Sequence, residues 1–171
     1  MLRRQAWLLA GALALSAGCQ ASDTSERMEL SDQEASIEKL DNLSMRTERD
    51  ATILSSSKAE QSTIVIRRVR FGERHDRSPE TLVHATLASL KSMDSAIVQG
   101  PKDFAHGLYG GVQYDLSYTP PAGGGSTYQR RHVLLFGRTY AYHLIHTAPD
   151  GQLGEFANEF SEVVDSFREE S

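Results

Sequence analysis

The stretch that most constrains the fold is Thr127 to Arg168, which reads as two strands joined by a tight turn and followed by an amphipathic helix. Tyr128-Gln-Arg-Arg-His-Val-Leu-Leu-Phe136 runs into Gly137-Arg138, and Thr139-Tyr-Ala-Tyr-His-Leu-Ile-His-Thr147 runs back. Glycine at the first central position suits a type II′ turn, because it takes the positive φ at no steric cost. Phe136 then faces Thr139, Leu135 faces Tyr140, Val133 faces Tyr142, Leu134 faces Ala141 and His132 faces His143. Both faces of this pair carry apolar side chains, whereas a sheet wet on one side alternates more cleanly. A covering layer on each face is expected. One layer is supplied after Pro149-Asp150-Gly151, where Phe156, Phe160, Val163, Val164 and Phe167 recur at three- and four-residue spacing on one helix face.

Upstream segments supply the rest. Ser78-Pro79-Glu80 is a helix start, with an N-cap serine, proline at the first helical position and an acid in the first turn. From there to about Met93, the residues Leu82, Val83, Thr86, Leu87, Leu90 and Met93 make one apolar stripe. Ser62 to Phe71 is rich in β-branched residues and reads as a strand, with another near Ala51 to Ser55 and a short one at Ala96 to Val98. Alternation in that first strand sends Arg68 and Arg70 to one face, expected to be solvated. Val112, Tyr114, Leu116 and Tyr118 alternate with polar residues along a further strand, which Gly107, Gly110 and Gly111 open. The loop Pro120 to Ser126 holds three glycines but lacks the Lys-Ser/Thr and following helix of a phosphate cradle.

The N-terminus speaks to location. Arg3 and Arg4 precede the apolar run Ala6 to Leu15, and Ser16-Ala17-Gly18 leads to Cys19, the only cysteine. A lone cysteine excludes an internal disulfide and a cysteine-based metal cluster. Leu15-Ser16-Ala17-Gly18-Cys19 resembles a bacterial lipobox, which implies a signal peptide over 1–18 and diacylglycerol and palmitate on Cys19 as the first mature residue. Each buried acyl CH₂ contributes about 0.8 kcal/mol, enough for two or three chains to hold a soluble domain at a membrane. Gln20 after the cysteine, by the same resemblance, implies the outer membrane facing the periplasm. Residues 19–35 are expected to be a polar, lipid-anchored tether, with the domain over 36–171. Net charge is −5, giving no electrostatic reason to expect nucleic-acid binding.

Tyr114-Asp-Leu-Ser-Tyr118, the glycine-rich loop, Arg131 to Tyr142, Thr147-Ala148-Pro149 and Asp165-Ser-Phe-Arg168 together resemble the PsbP/DcrB-like superfamily. The resemblance implies an α+β fold, an α/β/α sandwich around a mainly antiparallel sheet with two principal helices. It covers about Ile53 to Arg168 in element order. The Pro-x-x-Trp segment that usually opens such domains is missing, since the only tryptophan is Trp7 in the leader. Short or irregular first strands are therefore expected. The superfamily has no common catalytic residue to carry over, and its members mostly bind proteins.

Candidate chemistry is sparse. His132 and His143, as facing residues, would stand close enough to share a metal, but no third ligand is fixed by spacing, and His146 points to the opposite face. Ser126 lacks the strand-to-helix turn of a hydrolase nucleophile. The chain is thus expected to be no enzyme and to hold no cofactor. The expected function is that of a membrane-anchored envelope lipoprotein binding a protein partner as an accessory or assembly factor. The alternative is a lipoprotein that binds a small molecule or metal.

Overall fold

A computed structural model describes residues 26–59, 61–70, 78–106, 109–120 and 125–170, with only the backbone described at position 106. Cys19, the leader, the first part of the tether, Phe71 and Gly107 lie outside the described residues.

Seven strands make the main sheet, all neighbours antiparallel: β3 (Leu43–Glu48), β4 (Ala51–Ser56), β5 (Thr63–Arg70), β6 (Ile97–His106), β7 (Tyr109–Tyr118), β8 (Tyr128–Phe136) and β9 (Tyr140–Pro149). Their order is β3-β4-β5-β9-β8-β7-β6, so the expected hairpin β8–β9 lies towards the middle, flanked on both sides. On one face lies α1 (Pro79–Lys91), whose Ser78 hydroxyl accepts the Thr81 amide at 3.2 Å. Leu82 and Leu90 of α1 pack on Val112, Tyr114, Leu116, Tyr118, Leu134 and Ala141. On the other face lies α2 (Ala157–Ser166), entered through a 3₁₀ turn at Leu153–Phe156. All five predicted stripe residues of this unit are buried, against Leu54, Ile64, Ile66, Val133, Leu135, Tyr142 and Leu144. The architecture is the expected α/β/α sandwich with two principal helices.

Three further strands close the α2 side: β1 (Arg27–Leu30), β2 (Ala35–Glu38) and β10 (Arg168–Glu169), in the order β1-β2-β10. This corrects the tether, whose second half is structured. Leu30, Ala35 and Ile37 are buried in the same core as α2. The Gln33 side chain, fully buried, accepts the Arg68 amide at 2.8 Å and donates to the Asp50 carbonyl at 3.2 Å. Those two backbone groups sit where β4 and β5 stop pairing, so Gln33 supplies the partners that the ladder no longer does. The expected solvated face of β5 is corrected as well at Arg68. Its guanidinium pairs with Glu34 and lies over the Tyr140 ring, 4.6 Å from the centroid. Hydrogen bonding from Arg68 holds the Glu34 carboxyl below its ordinary pKa.

The hairpin register differs from the expectation by one residue on each strand. Phe136 pairs with Ala141, Leu135 with Tyr142, Leu134 with His143 and Val133 with Leu144. The Gly137 amide donates to the Tyr140 carbonyl at 2.9 Å, so Arg138 and Thr139 form the turn, and Gly137 is not at positive φ. The stabiliser comes from far along the chain. The Glu169 carboxylate of β10 accepts from the amides of Arg138 at 2.6 Å, Thr139 at 3.1 Å and Tyr140 at 3.3 Å. Glycine is needed at 137 for this approach, because a Cβ there would stand 2.7 Å from Glu169 Oε2. Glu169→Gln replaces a charge-assisted acceptor by an amide whose NH₂ meets backbone donors. The expected cost is about 1–3 kcal/mol in urea denaturation, with faster hydrogen exchange at residues 138–140. Unchanged exchange there would show that the turn holds without the carboxylate.

Candidate functional site

Pleating decides which side chains reach the α1 face. On β8 these are the even-numbered residues, Arg130, His132, Leu134 and Phe136, and on β9 the odd-numbered ones, Ala141, His143, Ile145 and Thr147. His132 and His143 therefore share a face in the observed register too, now as diagonal neighbours. Their rings lie 5.0 Å apart between centroids, and His132 Nε2 to His143 Nδ1 is 2.7 Å, a hydrogen bond. Either nitrogen donates, according to the tautomers. His132 is 4% exposed, its ring meets Tyr114 in a T-shaped contact, and its Nδ1 has no partner among the described residues.

Both imidazoles are neutral at pH 7. Burial drives the His132 pKa well below its ordinary value, with His143 and Arg130 adding to the effect. Burial and then the Arg67 charge lower His143 to about 4. Among the described residues, no carboxylate is hydrogen-bonded to either ring, so the pair lacks the orienting acid of a catalytic triad. The pair also has the wrong shape for one shared zinc. Two nitrogens at zinc-bond length around a tetrahedral ion stand roughly 3.3 Å apart with both lone pairs aimed at the metal. Here one ring's lone pair is spent on the other ring. Among the described residues, no three histidine, cysteine or carboxylate side chains gather as a metal set. His146 is on the other face as expected, buried under Phe156 and Phe160 at 5.6 and 5.5 Å between ring centroids.

The two histidines line a groove of about 440 Å³ between α1 and the sheet. That volume falls within the range of small-ligand pockets, about 300–1,000 Å³. Leu82 and Leu90 of α1, Met93 just beyond its end, and Val69 and Ile145 of the sheet are its larger apolar lining. Arg67 and Arg130 border the histidines. Arg67 pairs with His143 across β5–β9, and Arg130 precedes His132 by one pleat on the same face. Sequence reasoning found the imidazoles and saw Arg67 within a basic cluster of β5, but joined neither arginine to the histidines. The parity of β8 would have found Arg130. Arg67 depends on the β5–β9 pairing, which no local pattern announces.

A second polar cluster lies on the opposite face, where Arg131 Nε donates to Asp115 Oδ1 at 2.9 Å and Gln113 donates to Oδ2 at 3.0 Å. Burial works against the Asp115 carboxylate, but these hydrogen bonds and the Arg131 charge outweigh it and keep its pKa low. Lys102 Nζ also stands 3.8 Å from Asp115 Oδ2, so the carboxylate is matched by two cations, the arrangement of a structural ion pair.

No family model matches the chain, and no curated protein matches its sequence. Solved structures do share its shape. LpqN, involved in cell envelope biogenesis of Mycobacterium tuberculosis, superposes with a TM-score of 0.59 at 13% identity, over 86% of this chain and 86% of its own. The Pseudomonas aeruginosa protein PA94, of unknown function, gives 0.58 at 15% identity, over 82% and 94%. A Bacteroides thetaiotaomicron protein gives 0.55 at 12% identity, over 81% of this chain and 46% of that longer one, so the present chain spans about half its length. At such identities the likeness is one of fold. The chain shares with these bacterial proteins an antiparallel sheet covered by a helix on each face.

Proposed function

We propose that this protein is a lipid-anchored component of the bacterial cell envelope that works by binding, without catalysis, as an accessory or assembly factor for a protein partner. The observation that carries the reading is Cys19, placed directly after an apolar leader and Ser16-Ala17-Gly18. The fold shared with LpqN, itself described as involved in cell envelope biogenesis, supports it. A neutral imidazole pair with no orienting carboxylate supports the non-catalytic part. Gln20 after the cysteine favours the outer membrane, with the domain in the periplasm.

The test is phase partitioning of the protein expressed with its own leader in a Gram-negative host. The natural chain is expected in the detergent phase and Cys19→Ser in the aqueous phase, because no described helix is long and apolar enough to cross a membrane. Equal partitioning of the two would overturn the anchor. A single crosslinked adduct with an envelope protein in cells is expected from the partner role. The groove beside α1 favours a second reading, in which the envelope protein carries a small molecule.

A further inference from the structure

We infer that the groove between α1 and the sheet is a binding site for a small organic anion, a carboxylate or phosphate monoester joined to a short apolar group. The inference rests on the second reading above and gives it a ligand class. Four observations converge on it.

The first is charge without a counter-charge. Arg67 forms no ion pair with any described residue, and Arg130 spends its donors on neutral groups: Thr147 Oγ1 at 3.2 Å, the Tyr118 hydroxyl at 3.0 Å and Met93 sulfur at 3.7 Å. Among the described residues, Asp50 is the only carboxylate along the groove, while the Arg68 charge is already matched by Glu34. Two guanidiniums against one carboxylate leave the groove positive in a protein whose net charge is −5.

The second is a buried polar atom with nothing to bind. His132 lines the groove, is nine-tenths buried or more, and its Nδ1 has no hydrogen-bond partner. A buried unsatisfied nitrogen in a native fold calls for a partner, since leaving one costs about 1–3 kcal/mol. Third, the imidazole pair adapts to a ligand. The hydrogen bond between the rings allows either tautomer order, and in each order one outer nitrogen, His132 Nδ1 or His143 Nε2, carries an N–H while both rings stay neutral.

Fourth, apolar side chains flank the charged ones: Leu82, Ala85 and Leu90 of α1 and Met93 just beyond it, with Val69 and Ile145 on the sheet and only Thr86 and Ser89 polar on the helix side. A bare inorganic anion would leave those apolar side chains in contact with water, and a plain hydrocarbon would leave both guanidiniums without a counter-charge. An anionic head beside the arginines with an apolar group along α1 satisfies both sides.

Calorimetry and imidazole NMR on the full chain carrying Cys19→Ser test this with four probes: octanoate, octyl phosphate, octanol and inorganic phosphate. At least one of the first two is expected to bind with shifts at His132 and His143. Octanol and inorganic phosphate are expected to bind about tenfold more weakly or less tightly still. Octanoate alone would assign carboxylates, and octyl phosphate alone would assign phosphate monoesters. Arg67→Gln, an exposed position, should weaken binding by about tenfold with the melting temperature unchanged. Equal binding of octanol and octanoate, equal binding of inorganic and octyl phosphate, or no effect of Arg67→Gln would each overturn the assignment. The anchor is untouched by any of these results, because partitioning depends on Cys19 and not on the groove.

Discussion

Lowering the pH from 7 to 5 is expected to remove several kcal/mol of stability, with the buried histidines as the cause. Burial and the nearby Arg131 lower His146 to about 4, burial and Arg67 lower His143 to about 4, and burial drives His132 in the same direction. In the unfolded chain each takes up a proton near the ordinary value of about 6.5. Between pH 6.5 and 4 the unfolded state therefore binds more protons than the folded one, and stability falls as pH falls. The contribution is fully present above 6.5 and is lost progressively towards 4. For His143 and His146, linkage gives about 2 kcal/mol each between pH 7 and pH 5. Set against a typical total of about 5–15 kcal/mol, that is enough to bring the domain close to its acid midpoint. Two paired carboxylates do not compete in this window. Glu34 and Asp115 have lowered pKa values, so their stabilising contribution is lost only at more acid pH.

Urea denaturation at pH 7, 6 and 5 checks the slope. His146→Leu separates the sites. The histidine packs among Phe156 and Phe160 with a buried, unpartnered Nε2, so leucine removes both the titration and the unsatisfied atom. The variant should lose less stability between pH 7 and 5 than the natural chain. A flat profile in the natural chain would show that the rings become protonated without unfolding, through water entering the groove.

The faces of the hairpin were legible because side-chain alternation survives an error in register. Sliding the pairing by one residue on each strand moves Leu135 from Tyr140 to Tyr142 and leaves both faces as they were. Thus the buried stripe, the two-layer cover and the company of His132 and His143 could all be read from spacing. The turn could not. Its conformation depends on Glu169, some thirty positions downstream, and that carboxylate replaces the positive φ that local turn rules ask of Gly137. The same holds for Gln33 and Arg68, whose partners lie in other strands. The polar composition of residues 27–38 concealed β1 and β2 for a different reason. Each strand is only four residues long, and the pair contributes few apolar residues to the core, so no periodic signal builds up.

Phe167→Ala is expected to be the most damaging single truncation, costing about 3–5 kcal/mol. The ring is fully buried and meets Tyr142 edge-on at 4.7 Å and Tyr109 at 6.0 Å between centroids. Those partners sit on β9 and β7, so the ring ties the end of α2 to two non-adjacent strands of the main sheet. It also sets the exit of the chain. The Phe167 amide bonds to the Val164 carbonyl at 3.3 Å, and the next two residues are β10, which pairs with β2 and delivers Glu169 to the β8–β9 turn. Losing the ring should therefore loosen β10 and weaken the carboxylate's hold on the turn. A double-mutant cycle with Glu169→Ala tests that link. Residues that act through one segment couple, so the double variant should be less destabilised than the sum of the singles by about 0.5 kcal/mol or more. Simple additivity would mean that the aromatic cluster and the turn are held independently. In that case β10 would be anchored by its pairing with β2 alone, and the exit of α2 would not position Glu169.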